Sequence, residues 1–417
     1  MGLAVTIVVC LGGGAVQWLI TGLQTAQEAL HRRDFKRARR AAERYLWIAP
    51  GSSTARIVAG NAYFQDDSLN PMVAADNAIR HFSQVPDDSL EGPVARLLEG
   101  RVVFLVRQEP AHAERLLRRS IELNPHQFDA HYLLWQVYNM TERFFDSEPM
   151  FREAYRLCPP EQRAYRLREW YSSQFTPLSA ASQIDLMMGF RVETEVPSEE
   201  VALRRLSAFH EYEPTEPDTA AALAQWHLRN ESRETALQVL DAVPDRAQAR
   251  RSRFFHATYI ETLIEVGQTQ RATEEFSQWT GPKEGYQYYR IAGIHTQEIL
   301  GQPANAVPLL RKAAEIWPGP SDWLLLNRLA RCLALSGQKQ ASQQIQAEAK
   351  RIEGMTDLTF HQSVRQAFSQ LENPEGLEPV VRFYDSFQRT WEAEEWRSII
   401  AGLKKEGSPQ KVLEASD

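Results

Sequence analysis

Apolar positions recur at steps of three and four residues through almost the whole chain, and no stretch alternates strictly between apolar and polar. That period predicts amphipathic helices and no sheet. The helices recur as larger units. The stretch Phe128–Pro159, FDAHYLLWQVYNMTERFFDSEPMFREAYRLCP, ends on a proline 34 residues after Pro125, which closes EGRVVFLVRQEPAHAERLLRRSIELNP. Gly267 and Gly301 are likewise 34 apart, as are Ala272 and Ala306. A repeat of this length is one helical hairpin, and a single hairpin can bury its apolar face only against its neighbours. The expectation is an all-α chain of about 18–20 helices, paired into about eight or nine hairpins.

Several residues carry a more specific likeness. Gly60–Phe64 reads GNAYF, a small residue followed three positions later by an aromatic. Leu134, Tyr138, Phe151, Ala154 and Pro159 fit one ungapped copy of the same scheme, and Ala306, Leu310, Ala313 and Pro318 fit another. In this pattern the chain resembles the tetratricopeptide repeat (TPR) family over roughly residues 20–354. The resemblance implies a right-handed superhelical solenoid of helical hairpins with a C-terminal helical cap. Small residues let the two helices of a hairpin approach, aromatics fill the wedge between them, and proline stops the second helix.

A stack of hairpins with a constant rotation leaves a groove lined by the first helix of each. Carried over from the family onto matching positions, the groove residues are Ile57, Asn61 and Phe64 in the second hairpin. Leu97, Arg101 and Phe104 follow in the third, and Tyr132, Gln136 and Asn139 in the fourth. Amides can bond a peptide backbone and aromatics can anchor side chains, so the expected ligand is a protein or peptide. Family members that clamp a C-terminal carboxylate carry a lysine where this chain has Ile57, so that ligand is not expected here.

The ends and the middle break the rhythm. Met1–Gln27 holds no charged side chain, and Leu3–Leu23 is long enough to cross a bilayer as a helix, so residues 1–23 are a candidate single-pass anchor. A cleaved signal peptide and a soluble capping helix are the alternatives, and the basic residues Arg32 to Arg44 leave the orientation open. Hairpins are expected over 19–159 and again over 218–354. Residues 160–217 form an irregular helical joint containing the loop RVETEVP, 355–403 form capping helices, and 404–417 form a disordered tail.

Composition narrows the function classes. The chain is 43% hydrophobic and 24% charged, which suits a folded protein, and its net charge of −7 supplies no general attraction for nucleic acid. Three cysteines, Cys10, Cys158 and Cys332, form no CxxC pair, so no zinc module or disulfide framework is indicated. That also separates the chain from anchored TPR proteins of lipopolysaccharide regulation, where a CxxC-bearing module follows the repeats. His126, Asp129 and His131 cluster, but histidines five apart do not share a helical face. Gly12–Gly14 lacks the Lys-Ser/Thr of a phosphate loop, and neither HExxH nor GxSxG occurs. The reading is a membrane-tethered scaffold for proteins or peptides, with no catalytic residue, metal, cofactor or small-molecule substrate. The alternative is an accessory or enzymatic subunit of a cell-envelope assembly or transport system.

Overall fold

A computed structural model describes residues 21–175, 198–355, 363–364 and 366–406. Every regular element among them is helical. They divide into two compact units. The first holds the chain up to Leu157 together with Arg204–Pro214, and the second holds the segment from Cys158 and the chain from Thr215 onward.

The first unit contains four hairpins. Helix α1 (21–31) pairs with α2 (Phe35–Ile48), α3 (Ser53–Phe64) with α4 (Pro71–Ser83), α5 (Gly92–Val102) with α6 (Pro110–Leu123), and α7 (Phe128–Met140) with α8 (Phe144–Leu157). Starts are set by local chemistry. Asp34, Ser52 and Asn70 accept from backbone N–H groups of the following first turns, and Pro71 and Pro110 occupy first-turn positions where no N–H is needed. The turns between paired helices repeat a left-handed residue, Gln108 at φ 58° and Glu142 at φ 60°. Those two are 34 residues apart, the spacing seen again between Gly267 and Gly301.

In several hairpins a small residue of the first helix faces a large one of the second. A Cβ added at Gly60 would collide with the Phe82 ring, and one added at Gly293 would collide with Leu310. In the fourth hairpin the wedge is filled by Leu134, Tyr138, Phe151 and Ala154, each at most 1% exposed.

Neighbouring hairpins are joined by a second recurring device. A tyrosine of a first helix donates its hydroxyl to a carboxylate on the second helix of the preceding hairpin, with an arginine over its ring. Tyr63 donates to Glu43 under Arg39, whose guanidinium carbon is 5.1 Å from the ring centroid. Tyr138 donates to Glu114 at 2.9 Å under Arg143 at 4.6 Å. Burial pairs each phenol with an acceptor while the cation covers the negative face of the ring.

The second unit repeats the scheme. Its hairpins pair α11 (Pro217–Arg229) with α12 (Arg233–Asp241), α13 (Arg253–Glu265) with α14 (Thr269–Ser277), α15 (Gly285–Glu298) with α16 (Pro303–Glu315), and α17 (Trp323–Leu335) with α18 (Lys339–Met355). Tyr259 donates to Asp241 at 2.7 Å with Arg246 4.1 Å above it, a third copy of the junction. Helix α9 (Arg163–Phe175) does not extend the first unit. It packs against the closing helices α19 (Glu378–Ser386) and α20 (Thr390–Glu406) of the second. Tyr171 lies 4.9 Å from Phe368 and 5.3 Å from Phe383, ring centroid to centroid, and Trp170 donates to Glu392 at 3.0 Å.

An ion pair beside α14 makes the second unit acid-sensitive. Arg250 grips Glu275 with two bonds of 2.8 and 2.9 Å, and His256 lies 3.6 Å away. Burial alone would raise the Glu275 carboxyl, but the bonds from Arg250 and His256 outweigh it and hold it at about 2. The native value lies below the ordinary one, so the stabilisation is complete above about 4.5 and is lost as pH falls toward 2. Glu275→Gln should therefore melt below the wild type at pH 7, with the gap narrowing as pH falls below about 4.5 and closing only below about 2. A gap of constant size over that range would mean that the charge is not held by this pair.

The N-terminal anchor is not supported. Among the described residues no helix is long and apolar enough to cross a membrane. Residues 1–20, which carry most of the uncharged run, lie outside the described residues. What is described of that end, 21–31, is the first helix of a hairpin. Ala26 packs with Ala42, Val58 and Ala59, and Ala29 with Ala38 and Ala62, while Thr21, Gln24, Gln27 and Glu28 face solvent. An uncharged stretch of Ala, Leu, Thr and Gln serves close helix packing as well as it serves lipid. Neither a single-pass membrane localisation nor the membrane as a partner through this helix is supported. The loop RVETEVP and the tail from residue 407 also lie outside the described residues.

Candidate protein-interaction face of the first unit

The residues expected to line a groove sit on α3, α5 and α7, the first helices of three consecutive hairpins. Asn61 and Phe64 are three apart on α3, and Tyr132, Gln136 and Asn139 are spaced four and three apart on α7, so each set shares a helical face. Ile57, Asn61, Phe64, Arg101, Tyr132 and Asn139 are half-buried. Phe64 and Ile57 each pack at the edge of a cluster built on Ala75, Ala78, Phe82 and Val102. Tyr132 lies between Phe128 and Trp135, with centroid distances of 5.5 and 5.2 Å. Leu97 and Gln136 are buried instead.

Phe104 has a different environment. The regular α-helix of α5 ends at Val102, and Val103–Arg107 continue it as one wider π turn. Phe104 in that turn is fully buried, and a ring facing it comes from outside the repeats, from Phe209 at 5.9 Å. Phe209 belongs to α10 (Ser198–Tyr212), whose residues from Arg204 onward are part of the first unit.

The same segment completes the start of α6. Glu109 precedes that helix but its side chain does not cap it. The carboxylate of Glu213 accepts from Ala111 N and His112 N, both at 2.8 Å, across a sequence separation of 102 and 101 residues. These are the second and third helical positions, the donors that a local Ser or Asp ordinarily satisfies, and a negative charge there also meets the positive end of the helix dipole. Leu206, Phe209 and Glu213 are all buried, while Arg204, Ser207, Glu211 and Tyr212 are exposed. The sequence places this segment in an irregular joint because the repeat period is lost between Pro159 and Pro214, and its partners lie about a hundred residues upstream. The one local signal was the missing cap on α6.

The first helices of the second unit are differently furnished. Arg290 grips Glu261 with bonds of 2.8 and 2.6 Å, Arg328 bonds Glu298 at 2.7 Å, and Gln225 bonds Thr258 at 3.1 Å. Burial acts against the Glu261 charge, but Arg290 outweighs it and holds the carboxyl below the ordinary range. These side chains tie neighbouring hairpins together.

His131 is buried with Nε2 2.9 Å from the Pro125 carbonyl, and His126 is exposed. Among the described residues no group of three or more His, Cys, Asp or Glu is arranged to hold a metal ion. Cys158 and Cys332 are buried free thiols whose pKa values burial pushes up.

Successive hairpins of about 34 residues, in several of them a small first-helix residue against a large second-helix one, and a left-handed turn residue at the same spacing decide the architecture. The fold is that of tetratricopeptide repeats. No family model matches the chain, and no curated protein matches it. Among solved structures, the P58(IPK) TPR domain is similar at 12% identity over 94% of this chain and 99% of that one, with a TM-score of 0.26. The APC/C hetero-tetramer Cut9–Hcn1 is similar at 11% identity over 92% of this chain and 86% of that one, with a TM-score of 0.38. The PilF protein of Pseudomonas aeruginosa is similar at 16% identity over 55% of this chain and 93% of that one, with a TM-score of 0.26. The TPR assignment rests on the hairpin geometry and not on these scores.

Proposed function

We propose that this TPR-fold chain is a scaffold that binds proteins or peptides on the first helices of hairpins two to four, and that it does no chemistry of its own. One observation carries the reading. Asn61, Phe64, Tyr132 and Asn139 stand half-buried on the first helices of hairpins two and four, aromatic and amide together, whereas several first-helix side chains of the second unit are tied into ion pairs between hairpins. Half-buried aromatics offer a partner a preformed apolar seat at small cost in side-chain entropy, and amides beside them can bond a peptide backbone.

The double change Phe64→Ala and Tyr132→Ala tests this. Truncating two such anchors should weaken binding by about 2 kcal/mol or more at each position. Affinity capture from the native lysate, read by mass spectrometry, should show partners of the wild type lost from the variant. A variant with wild-type helicity that keeps the whole set of partners would overturn the reading.

A further inference from the structure

The segment Arg204–Pro214 has the form of a bound ligand. Its buried residues Leu206 and Phe209 are three apart on one side of α10, buried Glu213 follows at the helix's C-terminal end with its N–H bonded to the Phe209 carbonyl, and the opposite side is exposed. An amphipathic helix laid into a groove is read by anchors at this spacing. The receiving surface is complementary at two points of different chemistry. The aromatic seat is Phe104 in the π turn, 5.9 Å from Phe209 between centroids. The polar seat is the pair of N–H groups of Ala111 and His112, both 2.8 Å from Glu213. The polar seat is not completed by its own hairpin, since α6 has no local side-chain cap. A missing cap and an aromatic in a widened turn are both satisfied by one segment from about a hundred residues away.

We infer that the surface formed by the π turn and the start of α6 is a recognition site for amphipathic helices with an aliphatic residue, an aromatic three positions later and a carboxylate four after that. Residues 204–214 occupy it in cis and compete with such a partner. The inference rests on the protein-binding reading of the first unit and adds the chemistry of the partner and a means of regulating access. Specificity follows from the two seats. A partner with Lys in place of the carboxylate would bring a positive charge to the positive end of α6, and one lacking the aromatic would lose the ring contact with Phe104.

The experiment uses the full chain and a labelled peptide of Glu200–Pro214, EVALRRLSAFHEYEP, with fluorescence anisotropy as the readout. The chain carrying Phe209→Ala and Glu213→Ala should bind the peptide about tenfold or more tightly than the wild type, because its own segment competes less well. Adding Phe104→Ala should remove that gain, and a peptide with the same two alanines should not bind. A variant of native helicity that binds the peptide no better than the wild type, or binds the altered peptide equally, would overturn the inference. Hydrogen exchange of the wild type keeps the test decisive if the variant fails to fold. Amides of 204–214 should exchange through local opening, faster than those of α5 and α6, whereas exchange of all three only through global unfolding would make the segment a fixed part of the core. Partner loss on changing Phe64 and Tyr132 is read separately, so a chain that passes that test but ignores the peptide refutes only this inference.

Discussion

Tyr138→Ala should destabilise the first unit by about 3–5 kcal/mol, the range for truncating a large buried aromatic. The side chain is 1% exposed and fills the wedge of the fourth hairpin, so its removal leaves a cavity that Leu134 and Phe151 cannot close without moving the helices apart. It also severs a junction between hairpins. Glu114 accepts the Tyr138 hydroxyl at 2.9 Å and is held by Arg118 at 2.8 Å and by Arg143. Burial works against the Glu114 charge, and the two arginines outweigh it, keeping the carboxyl below the ordinary range. Because those arginines remain in a Tyr138→Phe variant, losing the hydroxyl alone should cost only about 1 kcal/mol. Urea unfolding of the two variants separates the contributions. Equal losses for both would place the energy in the hydrogen bond, and a loss below about 1 kcal/mol for alanine would mean that the wedge is not packed as described.

Tyr138 also shows what was legible beforehand. Its role as a wedge could be read from the 34-residue spacing of Pro125 and Pro159, because the period is set by one hairpin's length and every residue concerned lies within that hairpin. The hydrogen bond to Glu114 could not be read, since it crosses to the preceding hairpin and Glu114 looks like any solvated helix carboxylate. The placement of α9 and of residues 204–214 was still less accessible. Trp170 meets Glu392 across 222 residues, and Glu213 meets the start of α6 across about a hundred. No periodicity records such pairings, because the 3.6-residue pattern reports which side of a helix is buried and not what buries it. The candidate face divides along the same line. Phe64 and Tyr132 are half-buried on their first helices, whereas Phe104, at an equivalent position by spacing, is covered by a segment that the repeat does not contain. The uncharged N-terminal run misled for a related reason, since Ala26 and Ala29 are small for helix–helix contact.

Arg389→Met should cost the second unit about 3–5 kcal/mol, comparable with breaking a buried ion pair from one side. Glu392 is fully buried and takes its two hydrogen bonds on one oxygen, from Trp170 at 3.0 Å and from Arg389, while its Oε2 has no partner. Without the guanidinium, the carboxylate would keep only the indole N–H as a donor, in surroundings that include the buried Trp396 and Tyr384. Arg389 also lies 4.1 Å over the Trp317 ring, so methionine keeps part of the packing and loses the charge. The pair sits where α9 meets α20, which ties the energy to the contact between the beginning and the end of this unit rather than to any one hairpin. A double change, Arg389→Met with Glu392→Leu, should recover most of the loss, since replacing both partners removes the stranded charge along with the attraction. Calorimetry of the single and double variants decides the matter. If the double variant is as unstable as Arg389→Met alone, the damage comes from lost packing around Arg389 and not from an uncompensated carboxylate.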